Sequence, residues 1–188
     1  MANDRTDRRV RKTKALLLRG LIQLMETKDV QNISVKELSD LADINRGTFY
    51  LHYSDVHDML RQIEDELFVE FQRIIDRTLT PDSAIHSLQT TLSEVFVFLE
   101  RHREMARVMM GPHGDLAFLN RLKDLVQERL DSILASKLAS GDSCYLEAFI
   151  VSGCVGVIET WLNHPDPPAP DVMATICGNL LEKGFLSA

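Results

Sequence analysis

Within seven residues, Arg46, Thr48, Tyr50 and His52 set out four side chains that can donate hydrogen bonds, alternating with Gly47, Phe49 and Leu51. Donors at this density suit phosphate oxygens and the edges of bases. Two blander readings stand beside that one: Tyr50 as a half-buried core residue, and His52 as the cap of a helix end. A metal site is the next chemistry to consider, since His52, Asp55, His57 and Asp58 crowd together. The spacing argues against it, because helical histidine ligands belong three or four residues apart and these two are five apart with a turn signal at Ser54 between them. His102 and His113 flank a predicted helix with no cysteine near them. Gly111-Pro112-His113-Gly114 lacks the lysine and the preceding strand of a phosphate loop, so it reads as a helix end. No nucleophile elbow and no paired acid and base stand out. An enzyme is therefore not expected, and neither a catalytic residue, a metal nor a cofactor is assigned.

The four donors need a framework. Ser34-Val35-Lys36-Glu37 reads as a capping box, with the serine hydroxyl and the glutamate carboxylate each serving a free amide, and it opens a short helix to Ala42 that buries Val35, Leu38 and Leu41. Asp43-Ile44-Asn45 follows as a three-residue turn, and Asn45 can cap a second short helix, Arg46 to His52. A longer helix flanks the pair on each side. From Arg8 to Lys28, Val10, Leu17, Leu18, Leu21, Ile22, Leu24 and Met25 recur at helical spacing, and from a cap at Ser54 the stripe Met59, Leu60, Ile63, Leu67, Phe68 and Phe71 runs towards Arg77. This is helix-turn-helix spacing, although such pairs also occur as plain structural corners and the turn lacks the glycine that often permits the bend.

Beyond Pro81 the pattern stays helical: Pro81 to Arg101, Glu104 to Met110, a helix capped by Asp115 and ended by Ser140-Gly141, one opened by Asp142 or Ser143 that runs to Trp161, and Val172 to Phe185. Between the last two, residues 163–171 hold four of the six prolines and form the clearest loop. The reading is all-α, with about nine helices and no strand.

Composition limits the function classes. The chain has 188 residues, 45% of them apolar and 26% charged, which suits one or two globular domains and excludes disordered and collagen-like chains. Its longest nearly uncharged apolar run, Phe149 to Ile158, is about half of what a membrane span needs, and no secretory signal leads the chain, so a cytosolic protein with no membrane partner is expected. Cys144, Cys154 and Cys177 include no CxxC pair and read as buried thiols. The net charge of −7 hides a segregation: residues 1–55 carry ten basic against eight acidic side chains, and residues 56–188 carry eleven against twenty. Arg5 to Arg19 alone holds seven basic residues and one acid, which suits either a solvated helix face or a phosphate-contacting surface.

Ser34-Val35-Lys36-Glu37-Leu38, then Asn45-Arg46-Gly47-Thr48-Phe49-Tyr50-Leu51-His52-Tyr53, then Asp58-Met59-Leu60 together resemble the N-terminal domain of the TetR family of transcriptional regulators. Met110-Gly111-Pro112-His113-Gly114-Asp115 with Phe118, and Phe149 to Trp161 with Gly153 and Gly156, look like the C-terminal domain of the branch that includes the dihydroxyacetone-kinase regulators. The resemblance implies a helix-turn-helix domain over residues 7–67 and a helical regulatory and dimerisation domain over residues 68–188. It further implies a homodimer on a palindromic operator, released by a small-molecule effector. The alternative is a DNA-binding adaptor or coactivator of the same fold, regulated by a protein partner.

Carried over residue by residue, Thr48, Tyr50 and His52 contact phosphates, Arg46 and Asn45 reach base edges, Gly47 admits the DNA backbone, and Ser34 and Lys36 meet phosphates from the first helix of the pair. Two positions depart from the family pattern. Asp43 stands where a glycine is common, and Val56 stands where a lysine often anchors a phosphate, so Val56→Lys is expected to tighten binding. The apolar residues Phe96, Met105, Met109, Met110, Phe118, Tyr145 and Phe149 are the expected lining of an effector cavity. Phe149, Val157, Trp161, Ile176 and Leu180, with Gly153 and Gly156 allowing close approach, are the expected dimer interface.

Overall fold

The computed structural model describes residues 2–79, 84–134 and 143–185. Among them are nine α-helices and no strand: α1 (Ala2–Met25), α2 (Val35–Leu41), α3 (Arg46–Tyr50), α4 (Val56–Thr78), α5 (Ala84–Arg101), α6 (Arg103–Met109), α7 (Leu116–Leu134), α8 (Ser143–Asn163) and α9 (Pro170–Phe185), with a 3-10 turn at Val30–Asn32. The expected breaks at Pro81 and Ser140-Gly141 fall outside the described residues. The chain forms two compact units, Met1–Asp65 with Val108–Asp115, and Glu66–Arg107 with Leu116–Ala188.

In the first unit, α1 buries Leu17, Leu21, Ile22 and Met25 from one face. Gly20 is what brings α2 close: a methyl group there would sit 3.0 Å from Leu38 Cδ1, and Leu38 is fully buried. Helix α2 begins as its sequence dictates, with Ser34 Oγ accepting from the Glu37 amide at 3.1 Å. The other half of the expected capping box is absent, because the Glu37 carboxylate pairs with Lys28 Nζ at 2.6 Å instead. Leu41, expected inside, is exposed.

The end of α2 shows why glycine is common at position 43. The Ile44 amide donates to the Ser39 carbonyl at 2.9 Å and the Asp43 amide to Asp40 at 3.4 Å, closing a Schellman turn whose left-handed residue is Asp43, with φ 52°. Aspartate occupies this region with less strain than most residues that have a Cβ.

Asn45 then caps α3, its Oδ1 accepting from the Gly47 amide at 2.7 Å. The helix is shorter than its sequence suggests and stops at Tyr50, so His52 lies past its end. The cap of α4 is also shifted. Asp55, not Ser54, takes the role: its Oδ1 accepts from the Asp58 amide at 2.7 Å, while Asp58 Oδ2 reaches back to the Ser54 amide at 2.9 Å. That bond to the Ser54 amide, helped by Gln62 and Arg61, holds the Asp58 carboxyl below its usual range despite opposition from burial.

The segment between α6 and α7 packs as part of this unit although it joins two helices that start or continue in the other. His113 Nδ1 lies 2.6 Å from Asp29 Oδ1. Gly114 is obligatory there, since a Cβ would fall 1.8 Å from the Met109 carbonyl oxygen.

In the second unit the strongest packing joins α5 to α9, with α7 against α8. Its centre is Trp161, which meets Phe96 edge to face at 5.2 Å and donates from Nε1 to the Pro168 carbonyl at 2.8 Å. Arg103 stacks its guanidinium 4.6 Å from the indole ring and donates to the carbonyls of Trp161 and Leu162, at 2.9 and 3.2 Å, closing the C-terminal end of α8.

Candidate nucleic-acid interface

Phe49 determines which way α3 faces. It is fully buried, with Tyr50 and Tyr53 each 5.6 Å away between ring centroids, and Tyr53 is itself buried. A five-residue helix anchored by one aromatic has to present its other side chains outward. Asn45, Arg46 and Gly47 are exposed, Tyr50 is 58% exposed, and Thr48 and His52 are half-buried. Tyr50 is thus a surface residue and not a core one. The cap at the end of α3 is Leu51, so His52 is free of that duty, with its ring 6.3 Å from that of Tyr53.

Each of these residues keeps hydrogen-bonding capacity. Asn45 spends its carbonyl oxygen on the Gly47 amide and retains its amino group as a donor. Arg46 and Lys36 are exposed and form no ion pair among the described residues. Ser34, also exposed, uses a lone pair for its cap and keeps its hydroxyl proton. At Gly47 an added Cβ would meet only Asn45 Oδ1, at 3.1 Å, so the glycine keeps both the cap and the outer surface clear. The arrangement is an exposed set of neutral and cationic donors suited to a polyanion.

Sequence reasoning missed two residues here. Lys14 of α1 places Nζ 5.6 Å from the centre of the Tyr53 ring, adding a cation beside the end of α3. Leu51 is 78% exposed among the donors. The helical periodicity of α1 contained the first signal, while nothing in the sequence distinguishes an exposed leucine from a buried one. Val56 is 3% exposed, so its side chain packs inside the unit, and a lysine there would have to run its stem through that packing to bring its ammonium to the surface.

The C-terminal expectations divide. Phe96, Met105 and Phe118 are packed inside the second unit. Met109 and Met110 belong to the segment that packs with the first unit, and Tyr145 and Phe149 are exposed at 76% and 59%. Two clefts in the second unit, of about 380 and 410 Å³, are lined by none of the seven. The smaller lies among Gly153, Gly156, Val157, Thr160, Trp161 and neighbours, and the larger among Glu70, Arg73, Arg77, Glu94, Arg101 and neighbours. Of the expected interface residues, Phe149, Ile176 and Leu180 are exposed and Val157 is half-buried. Trp161 is not available, because it is the buried centre of the unit.

Helix α8 is apolar over twice the run its sequence suggested. Its segment Cys144–Asn163 is long and apolar enough to cross a membrane by length and composition, and 22% of it is buried. The cysteines also differ from expectation, with Cys144 exposed, Cys154 half-buried and Cys177 buried. Burial, with a smaller contribution from Cys177, pushes the Cys154 thiol up to about 11, and burial raises Cys177 as well. Among the described residues no group of three or more histidine, cysteine, aspartate or glutamate side chains could hold a metal ion.

A capped α2, a Schellman turn and a short outward-facing α3, braced by α1 and α4, define a helix-turn-helix protein of the kind that places a recognition helix against DNA. Residues 86–183 match the family described as the transcriptional regulator C-terminal region of TetR type. The chain belongs to the TetR family of transcriptional regulators, which bind DNA and are not enzymes.

Among curated relatives, the HTH-type transcriptional regulator AcrR of Shigella flexneri is 22% identical over 184 residues, covering 86% of this chain and 83% of AcrR. The uncharacterized HTH-type transcriptional regulator YxbF of Bacillus subtilis is 23% identical over 94 residues; that match covers 49% of this chain and only 25% of YxbF. Among solved structures, SmeT, the repressor of the Stenotrophomonas maltophilia multidrug efflux pump SmeDEF, has a TM-score of 0.68 at 16% identity, covering 92% of this chain and 91% of SmeT. The dihydroxyacetone kinase operon activator DhaS has a TM-score of 0.57 at 15% identity, covering 93% of this chain and 97% of DhaS. At these identities the likeness shows the fold.

Proposed function

We propose that this protein is a homodimeric repressor that reads a palindromic operator through α3 and leaves it when a small-molecule effector binds. Residues 7–67 act as the DNA-binding domain and residues 68–188 as the regulatory and dimerisation domain. The observation that carries the reading is the outward face of α3, where Asn45, Arg46, Gly47, Thr48, Tyr50 and His52 surround a single buried anchor, Phe49. Thr48, Tyr50, His52, Ser34 and Lys36 grip phosphates, and Arg46 and Asn45 meet base edges.

Dimerisation is supported by the apolar surface of α8 and α9. Phe149, Ile176 and Leu180 are exposed, with Tyr145 and Val172 beside them in sequence register, and Gly153 and Gly156 have open space at the Cβ position. A second copy removes this surface from water. Release then requires that the effector bind more tightly to the form of the dimer that does not fit DNA. The protein acts in the cytosol and needs neither metal nor cofactor.

A second reading has the same DNA-binding face but takes its signal from a protein partner. What supports it is the fold shared with the dihydroxyacetone kinase operon activator DhaS. The test is selection of bound duplexes from a random pool by the purified protein at two salt concentrations. An enriched palindrome with half-site centres about one helical turn (~34 Å) or a multiple apart supports the dimeric reader, and absence of any enriched sequence contradicts it. Loss of that binding on adding a small molecule separates the first reading from the second.

A further inference from the structure

Helix α1 begins well ahead of the packing it serves. From Arg8 onward its first buried residue is Thr13, followed by Leu17, Gly20, Leu21, Ile22 and Met25, yet the helix is already formed from Ala2. Ahead of Thr13, Arg8, Arg9, Arg11 and Lys12 are all exposed, and none of the four forms an ion pair among the described residues. Arg8 and Lys12 are four residues apart and Arg8 and Arg11 three, and although Asp4 and Asp7 stand four residues ahead of Arg8 and Arg11, the run keeps a net positive charge. Four cations packed this way lower their energy beside an anionic surface.

Lys14 shows where that surface lies. Its Nζ sits 5.6 Å from the Tyr53 ring centre, and Tyr53 packs on Phe49, the anchor of α3. Arg11 precedes Lys14 by three residues and so shares its side of the helix. At 1.5 Å rise per residue, Arg8 lies about 9 Å along α1 from Lys14, towards the start of the helix.

We propose that Arg8, Arg9, Arg11 and Lys12 form a second DNA contact that grips backbone phosphates flanking the bases read by α3, independent of their sequence. The proposal rests on α3 as the reading element. It assigns the basic run of α1 to phosphate binding and not to solvation.

The experiment compares the full-length chain with a variant carrying Arg8→Gln, Arg9→Gln, Arg11→Gln and Lys12→Gln. Helical content measured by circular dichroism checks that the exposed substitutions leave the fold intact. Binding is titrated between 50 and 200 mM salt on the selected operator, on base-substituted operators, and on operators trimmed to the half-sites or extended by flanking DNA. The slope of log affinity against log salt is expected to become shallower by about 0.9 for each phosphate that the variant no longer neutralises, the ranking of operators to stay the same, and the gain from flanking DNA to disappear. Unchanged slope and affinity would overturn the proposal, as would a changed operator ranking or tighter binding of the wild type to anionic vesicles than to DNA. Tyr50→Ala is run in parallel. If it leaves binding unaltered while the wild type fails to rank operators, the reading of α3 has failed, and the salt slope still judges the arm separately.

Discussion

Helices α3 and α8 both bury only a few of their side chains, and they differ in what the others are. Helix α3 buries one phenylalanine and exposes arginine, glycine and tyrosine behind its asparagine cap; α8 exposes Tyr145 and Phe149 and buries mainly Val151, Trp161 and Leu162 towards its own unit. An exposed polar face is stable alone and waits for a charged partner. An exposed apolar face is costly in water at roughly 25 cal/mol per Å², so it implies a partner that is present most of the time. On the proposed function, one chain carries a conditional surface and a constitutive one.

The largest effect expected is at the anchor of the conditional surface. Phe49→Ala removes the one buried ring of α3 and is expected to cost about 3–5 kcal/mol of stability, read as an earlier chemical-denaturation midpoint together with loss of DNA binding. An unchanged midpoint would mean that α3 is held by something other than Phe49. Next comes the apolar surface. Phe149→Glu combined with Leu180→Glu puts like charges where a second copy is proposed to sit and is expected to turn dimer into monomer in sedimentation velocity, with little change in helical content. A protein that sediments identically before and after would remove the α8 and α9 face from the dimer account.

Val56→Lys comes third and separates resemblance from structure. The family pattern predicts tighter DNA binding, whereas the burial of Val56 leads us to expect a loss of about 2 kcal/mol or more, because an ammonium would have to enter the core or disrupt it. Thermal denaturation and a DNA titration on the same sample distinguish the two.

Much of the scaffold was legible in the sequence, for identifiable reasons. The caps at Ser34 and Asn45 were visible because a short side-chain oxygen two or three residues ahead of a free amide is a local device. The helices of the second unit were visible through apolar periodicity, and the donors of α3 through residue type. What escaped depended on partners distant in sequence. Glu37 turned to Lys28, Trp161 was drawn inside by Phe96, Arg103 and the Pro168 carbonyl, and Met109 and Met110 grouped with the first unit. Periodicity states that a residue prefers an apolar surface but not which surface it will find.

Two smaller effects sharpen the contrast further. With its thiol near 11, Cys154 is about a thousandth thiolate at pH 8, so alkylation there is expected to be slow at Cys154 and Cys177 and fast at Cys144, as peptide mass spectrometry would read. Reaction at Cys154 as fast as at Cys144 would contradict the burial described for the Cys154 thiol. Asp43→Gly relieves the left-handed strain at φ 52° but gives the unfolded chain more freedom, so a gain of at most about 1 kcal/mol is expected. A loss would show that the Asp43 side chain supports the turn.

The most direct test of α3 as the reading element is to titrate wild type and Arg46→Ala on the selected operator and on every single-base variant of one half-site. Arg46→Ala is expected to cost about 1–3 kcal/mol on the operator and to remove discrimination at one base pair while leaving the rest. Equal weakening on all duplexes would make Arg46 a phosphate contact, and no weakening on any of them would contradict the claim that the outward face of α3 reads DNA.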